Sequence, residues 1–156
     1  MPSALLIEDD PANQAVIAVM LARCGYDVRT IGSVREASEL AKHQFDVVIA
    51  DIVLRDGSGE AAAQAIGATA GLLFISGWPV SDLWDRGLLP PSALERQHFL
   101  TKPFTFGELR ERLTQLIAIA GQSVHEDFGG REAKVPQVVA ARDGWVQAAL
   151  ASDCPP

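Results

Sequence analysis

Ala4-Leu5-Leu6-Ile7-Glu8-Asp9-Asp10-Pro11 is a run of four apolar residues, three acids and a proline. Four apolar residues are too few for a helix of ordinary length, and they read as a strand buried on both faces. Asp10 followed by Pro11 reads as a helix N-cap with proline at the first helical position. A buried strand therefore hands over directly to a helix, with acids at the junction. The same alternation recurs along the chain. Val28–Ile31, Phe45–Ala50, Leu72–Ile75 and, more weakly, His98–Leu100 are further buried-strand candidates. Pro11–Cys24, Val34–Lys42, Gly59–Ile66, Ser81–Arg86 and Phe106–Ala120 carry helical spacing. Repeated strand-then-helix units predict an α/β, doubly wound, five-stranded parallel sheet with helices on both faces.

The helix starts are marked independently. Ser33 with Glu36, and Thr105 with Glu108, have the spacing of a capping box, in which hydroxyl and carboxyl satisfy each other's backbone N–H groups. Gly25 after Cys24 suits a C-terminal cap. Pro79, Gly87 and Pro90-Pro91 crowd the fourth helix, which is expected to be short. From Gly121 the pattern fails. Gly121–Pro136 reads as linker, and Gln137–Ala151 has the apolar spacing of one further helix. The expected division is a domain over residues 1–120 and a C-terminal extension over 121–156.

The chain has 156 residues, 48% of them hydrophobic, enough to bury a core without disulfides or a structural metal. A net charge of −7, with no run of Lys or Arg, argues against a nucleic-acid partner. Cys24 and Cys154 lie far apart and without metal-type spacing. The N-terminus lacks the basic segment of a signal peptide, and no stretch reaches the length of a membrane span. A cytoplasmic location, away from membranes, is the expectation.

In an open parallel sheet, function gathers beyond the carboxyl ends of the strands. The first strand brings Glu8 and Asp9 there, the third Asp51, the fourth Ser76-Gly77 and the fifth Lys102-Pro103. Clustered carboxylates repel one another and call for a cation. Oxygen ligands alone suit a hard ion such as Mg²⁺, which pairs naturally with phosphate. A carboxylate flanked by Mg²⁺ and a lysine is disposed to attack a phosphoryl group, because both cations offset the charge on its oxygens.

Residues 4–120 resemble the receiver domain of bacterial two-component response regulators. The resemblance rests on Glu8-Asp9-Asp10, Asp51, Ser76 and Lys102-Pro103-Phe104, each at the end of its strand. It implies a flavodoxin-like sheet and a phospho-acceptor at Asp51. It also implies Mg²⁺ held by Asp9, Asp51, the Val53 carbonyl and, through water, Glu8. Ser76 and Phe99 would be the switch residues, Lys102 the family's lysine, and the Lys102-Pro103 bond cis. Departures occur at Arg55, where the family often has proline, at Gly77 for a common alanine, at Trp78, and at Phe99 for the commoner tyrosine. The implied role is phosphorelay signalling rather than enzyme catalysis. A histidine kinase or histidine phosphotransfer protein would donate to Asp51, and a downstream protein target would read the result. Only 36 residues follow Ala120, so no separate output domain is expected. The extension would serve partner binding or a homodimer.

Two other readings fit the residues less well. A phosphatase of the haloacid dehalogenase type wants a second Asp two residues after its nucleophile, where this chain has Val53. A pseudo-receiver acting only as an interaction module would be expected to lack some of the acids, the serine or the lysine, and all are present. Asp10 is assigned to capping rather than to a metal. Trp84 and Leu88 are expected to pack inward. His43, His98 and His125 are expected to be structural or surface residues.

Overall fold

A computed structural model describes residues 1–40, 43–67, 71–89 and 98–123, the last five by backbone alone. Strand β1 (Ser3–Ile7), helix α1 (Pro11–Arg23), β2 (Asp27–Ile31), α2 (Val34–Glu39) and β3 (Val47–Asp51) follow one another in that order. A short hairpin, β4 (Val53–Leu54) and β5 (Gly57–Ser58), leads into α3 (Gly59–Ile66). Then come β6 (Leu72–Ser76), α4 (Val80–Asp85), β7 (Phe99–Thr101) and α5 (Phe106–Ser123). The main sheet has five parallel strands in the order β2-β1-β3-β6-β7. The chain leaves β1 toward one edge and then returns to pair β3 on its other side. This reversal between β1 and β3 opens a crevice at their carboxyl ends.

Side chains alternate across the sheet with the period of two that a strand imposes. Ala4 and Leu6 of β1 join Ile17, Leu21, Leu109 and Leu113 beneath α1 and α5. Leu5 and Ile7 join Ala37, Ala62, Ile66 and Leu83 beneath α2, α3 and α4. Burial on both faces explains why β1 and β3 read as unbroken apolar runs. The predicted caps form. Asp10 Oδ1 accepts from the N–H groups of Ala12 and Asn13, at 3.0 and 2.9 Å. At α5, the Thr105 N–H donates to Glu108 and the Glu108 N–H donates to the Thr105 hydroxyl. Gly25 takes a φ of +90° just past α1.

Several expectations are corrected. The run Val28–Ile31 is buried only in part, with Arg29 and Thr30 exposed and Ile31 in the core, because β2 is an edge strand with β1 as its neighbour in the sheet. The hairpin β4–β5 went unforeseen, since two-residue strands carry no periodicity. Trp84 and Leu88 do not pack inward; they are 63% and 40% exposed. Helix α4 has six residues and one buried position, Leu83, and the next residue of a helix is turned well away from that face. Helix α5 runs on to Ser123, three residues past its expected end, because a single glycine at 121 weakens a helix without stopping it. His43 and His98 each place Nδ1 against a backbone carbonyl, of Leu40 and Leu72 respectively, as structural residues do. The second helix expected at Gln137–Ala151, with His125 and Cys154, lies outside the described residues. No helix among the described residues is long and apolar enough to cross a membrane.

Gly59 fixes how closely α3 approaches the end of β3. A Cβ there would overlap the Asp51 carbonyl oxygen, standing 2.9 Å from its carbon and 3.1 Å from the Ala50 side chain. Gly59→Ala should therefore cost about 1–3 kcal/mol through overpacking. Gly67→Ala, at a left-handed C-cap with nothing crowding the site, should cost about 1 kcal/mol. Urea unfolding of both variants checks this order, and equal midpoints would refute the steric argument.

Candidate functional site

Four strand ends build the crevice. The Glu8 N–H donates to the Ile31 carbonyl at 3.1 Å, which continues the β1–β2 ladder one residue past its end. The Gln14 side-chain amide, one turn into α1, donates to the carbonyls of both Glu8 and Ile31. Glu8 is almost wholly buried. Its Oε1 accepts the Asp10 N–H at 3.1 Å, and its Oε2 accepts Lys102 Nζ at 2.8 Å. Asp51, at the end of β3, is also buried; its Oδ1 accepts the Val53 N–H at 3.0 Å and its Oδ2 accepts Lys102 Nζ at 2.5 Å. Lys102 thus joins two acids from different strands with one ammonium. Its own backbone is held by its N–H on the Ser76 carbonyl, at 2.7 Å, and the Lys102–Pro103 bond is cis as expected.

Ser76 ends β6 fully buried, and its hydroxyl accepts the Trp78 N–H at 3.0 Å. The Trp78 ring packs on the core cluster beneath α2, α3 and α4, with the Arg86 guanidinium 4.4 Å from its centre. Phe99 pairs with Phe74 in register and is half-buried against the same cluster. Gly77 leaves room, since a Cβ there would come no nearer than 4.0 Å to the Lys102 side chain.

Asp9 is held apart from the other two acids. Its Oδ2 accepts the Arg55 N–H at 3.0 Å and lies 3.4 Å from the Arg55 guanidinium Nε. Among the described residues, no three Asp, Glu, His or Cys side chains converge as a metal cluster. The repulsion expected among the acids is offset by the protein's own cations, Lys102 and Arg55. In the sequence Arg55 stands out only as a departure from the family pattern, and that departure is the available signal. Asp56 beside it accepts the N–H groups of Val34 and Arg35 at the start of α2, which hold its carboxyl below the ordinary range.

Residues 4–114 match the sequence model of the response regulator receiver domain family. The chain belongs to this family. It is 31% identical over 128 residues to the response regulator protein PilR of Pseudomonas aeruginosa, an alignment covering 79% of this chain and 28% of PilR. The chain thus spans about a quarter of that relative's length. Among solved structures, it is similar to the receiver domain of a sensor histidine kinase from Pseudomonas aeruginosa, with 27% identity and a TM-score of 0.59. That likeness covers 75% of this chain and 98% of the other, which was crystallised with a magnesium ion coordinated in its active site cleft. A Vibrio cholerae chemotaxis protein shares the fold at 23% identity and a TM-score of 0.59, over 74% of this chain and 98% of its own.

The electrostatics of this receiver domain centre on Lys102. Burial is the largest influence on Glu8 and raises its pKa; the Lys102 bond, the Asp10 N–H and the Lys102 charge pull it back, while the Asp51 charge adds to the rise. Burial alone would lower the Lys102 pKa, but the bonds and charges of Asp51 and Glu8 outweigh it and hold the ammonium above its ordinary value. Lys102→Met removes the shared cation and should cost about 3 kcal/mol at neutral pH, the scale of breaking a buried pair. Without the ammonium, the folded-state pKa of Glu8 rises further. A raised carboxyl pKa favours the fold at low pH, and that gain is lost as pH rises through the folded value. The deficit relative to wild type should therefore be smaller near about pH 4.5 than at pH 7. Urea unfolding at the two pH values measures it, and an equal deficit at both would contradict the account.

Proposed function

We propose that Asp51 is a phospho-acceptor, taking its phosphoryl group from a phosphohistidine of a histidine kinase or histidine phosphotransfer protein. The observation that carries this reading is the Lys102 ammonium bonded to Asp51 at the mouth of the β1/β3 crevice, with the Ser76 hydroxyl at the next strand end. In the transfer, an Asp51 carboxylate oxygen forms a bond to phosphorus as the phosphorus–nitrogen bond to the donor histidine breaks. The electron pair of that bond stays on the imidazole. Lys102 offsets charge on the phosphoryl oxygens, and the Ser76 hydroxyl donates to one of them. The donor set of Glu8, Asp9, Asp51 and the Val53 carbonyl consists wholly of hard oxygen atoms and suits Mg²⁺. Bound there, Mg²⁺ would neutralise charge between the acids and the incoming phosphoryl group.

The reading continues to the output. Phosphorylation draws Ser76 toward the new group and alters the packing of Phe99, so that the α4–β7–α5 face changes for a downstream protein. The C-terminal extension, residues 121–156, adds a partner-binding or homodimer contact and is dispensable for phosphorylation. Neither nucleic acid nor membrane is a partner, and the cytoplasm is the proposed location. Incubation with acetyl phosphate and Mg²⁺ should add one phosphoryl group by intact mass. Chelator should suppress the gain and Asp51→Asn abolish it; a full gain in Asp51→Asn would overturn the assignment.

The lifetime of the acyl phosphate follows from the same site. By the family's geometry, Val53 and Trp78 flank the approach of a hydrolytic water in line with the Asp51–phosphorus bond. Neither side chain carries an acid or amide that would orient such a water. Arg86 stacked on the Trp78 indole favours one ring position. Val53→Asn and Trp78→Glu are each expected to speed decay by about tenfold, or ~1.4 kcal/mol in barrier. Loss of phosphate from the double variant with Mg²⁺ present is the measurement. Unchanged or slower decay would show that the ring only covers the core.

A further inference from the structure

Glu8 and Asp51 meet at Lys102, Asp9 is held beside them by Arg55, and these two side chains answer the three acids. Lys102 is 15% exposed and bonded to two acids, so its position is fixed by burial and by geometry. Arg55 is different. Its side chain is 78% exposed, while the Asp9 side chain it meets is only 18% exposed. The guanidinium therefore leaves Asp9 for water at little cost, because most of it is hydrated already. Both contacts fall on the same oxygen, Asp9 Oδ2: the main-chain N–H at 3.0 Å and the guanidinium Nε at 3.4 Å.

We propose that Arg55 is a displaceable counter-ion for Asp9, which a divalent cation must evict, so that residue 55 tunes the metal affinity of the crevice. The inference rests on the metal-binding reading of Glu8, Asp9 and Asp51 given above. Two effects act in the same direction. A cation approaching Asp9 meets an arginine of like charge, and one of the two carboxylate oxygens is already engaged. The main-chain N–H of residue 55 stays whatever its side chain, so Arg55→Gln removes the charge while keeping the backbone tether. Exposed ion pairs are weak, so the effect is one of tuning. It amounts to about two- to fivefold in affinity, and it fades as salt screens the guanidinium.

Calorimetric titration of the full chain with Mg²⁺ at low ionic strength tests this, with no phosphodonor present. Arg55→Gln should bind Mg²⁺ about two- to fivefold more tightly than wild type, with the gain shrinking toward none in about 1 M salt. Arg55→Lys, which keeps the charge, should stay near wild type. Arg35→Gln is the charge-matched control, since Arg35 lies on nearby α2 and pairs with Glu39 at 3.9 Å instead. It should leave the affinity unchanged. In NMR spectra of the wild type, the Arg55 Nε–H resonance should shift as Mg²⁺ is added. The proposal is overturned if Arg55→Gln binds Mg²⁺ no more tightly than wild type, or if Arg35→Gln gives the same gain. If these proteins bind equally while Asp51 still accepts a phosphoryl group, this proposal alone fails. If none of them takes up Mg²⁺, the metal-binding reading fails with it.

Discussion

One ammonium, Lys102 Nζ, stands between two carboxylates that are nearly shut off from water, Glu8 and Asp51. Unpaired, two such acids would each face a heavy desolvation penalty and would repel each other besides. The three groups lie 94 and 51 residues apart in the chain, so nothing local brings them together. They meet only because β1, β3, β6 and β7 are in register, and because the Lys102 N–H bonds the Ser76 carbonyl where the β6–β7 ladder ends. The crevice and the completed sheet are thus one structural event. The apolar faces of β1 and β3 supply the burial that makes the charges costly, and the last strand supplies the charge that offsets them.

The balance is incomplete by design of the sequence. Three acids face two cations, and the two cations are held in unequal ways. Lys102 is buried and doubly bonded, whereas Arg55 reaches in from solvent to one oxygen. The uneven grip leaves Asp9 the most solvent-exposed of the three acids.

Much of this was legible in the sequence, for physical reasons. Ala4–Ile7 and Val47–Ala50 are buried on both faces, so they are unbroken apolar runs, and Asp10-Pro11 and Thr105/Glu108 mark helix starts through groups that satisfy bare N–H donors. Glu8, Asp51, Ser76 and Lys102 could be grouped because a parallel sheet puts all its carboxyl ends on one side. What escaped has equally definite causes. The edge strand β2 sets polar Arg29 and Thr30 in water between half-buried Val28 and buried Ile31, so its burial is only partial. Trp84 is large and apolar, but α4 offers one inward position and Leu83 holds it, while Leu88 lies beyond the end of that helix. The β4–β5 hairpin is too short to leave a pattern. The pairing of Arg55 with Asp9 spans 46 residues and depends on that hairpin, so no local rule could have found it.

The hairpin has a further property as a piece of construction. Arg55 and Asp56 are neighbours, yet one grips the end of β1 through Asp9 and the other grips the first turn of α2 through Val34 and Arg35. Gly57, next in line, lies so near the Val34 side chain that a Cβ there would stand 2.9 Å from it. Three consecutive residues thus serve as a clasp with fixed spacing, closed on two different parts of the molecule. Such a clasp tolerates exchange at Arg55, whose main-chain N–H makes the grip, but neither loss of the Asp56 carboxylate nor a change of length. One residue inserted between Arg55 and Asp56 would misalign one grip or the other. Loop-length variation among descendants of this gene should therefore spare this turn.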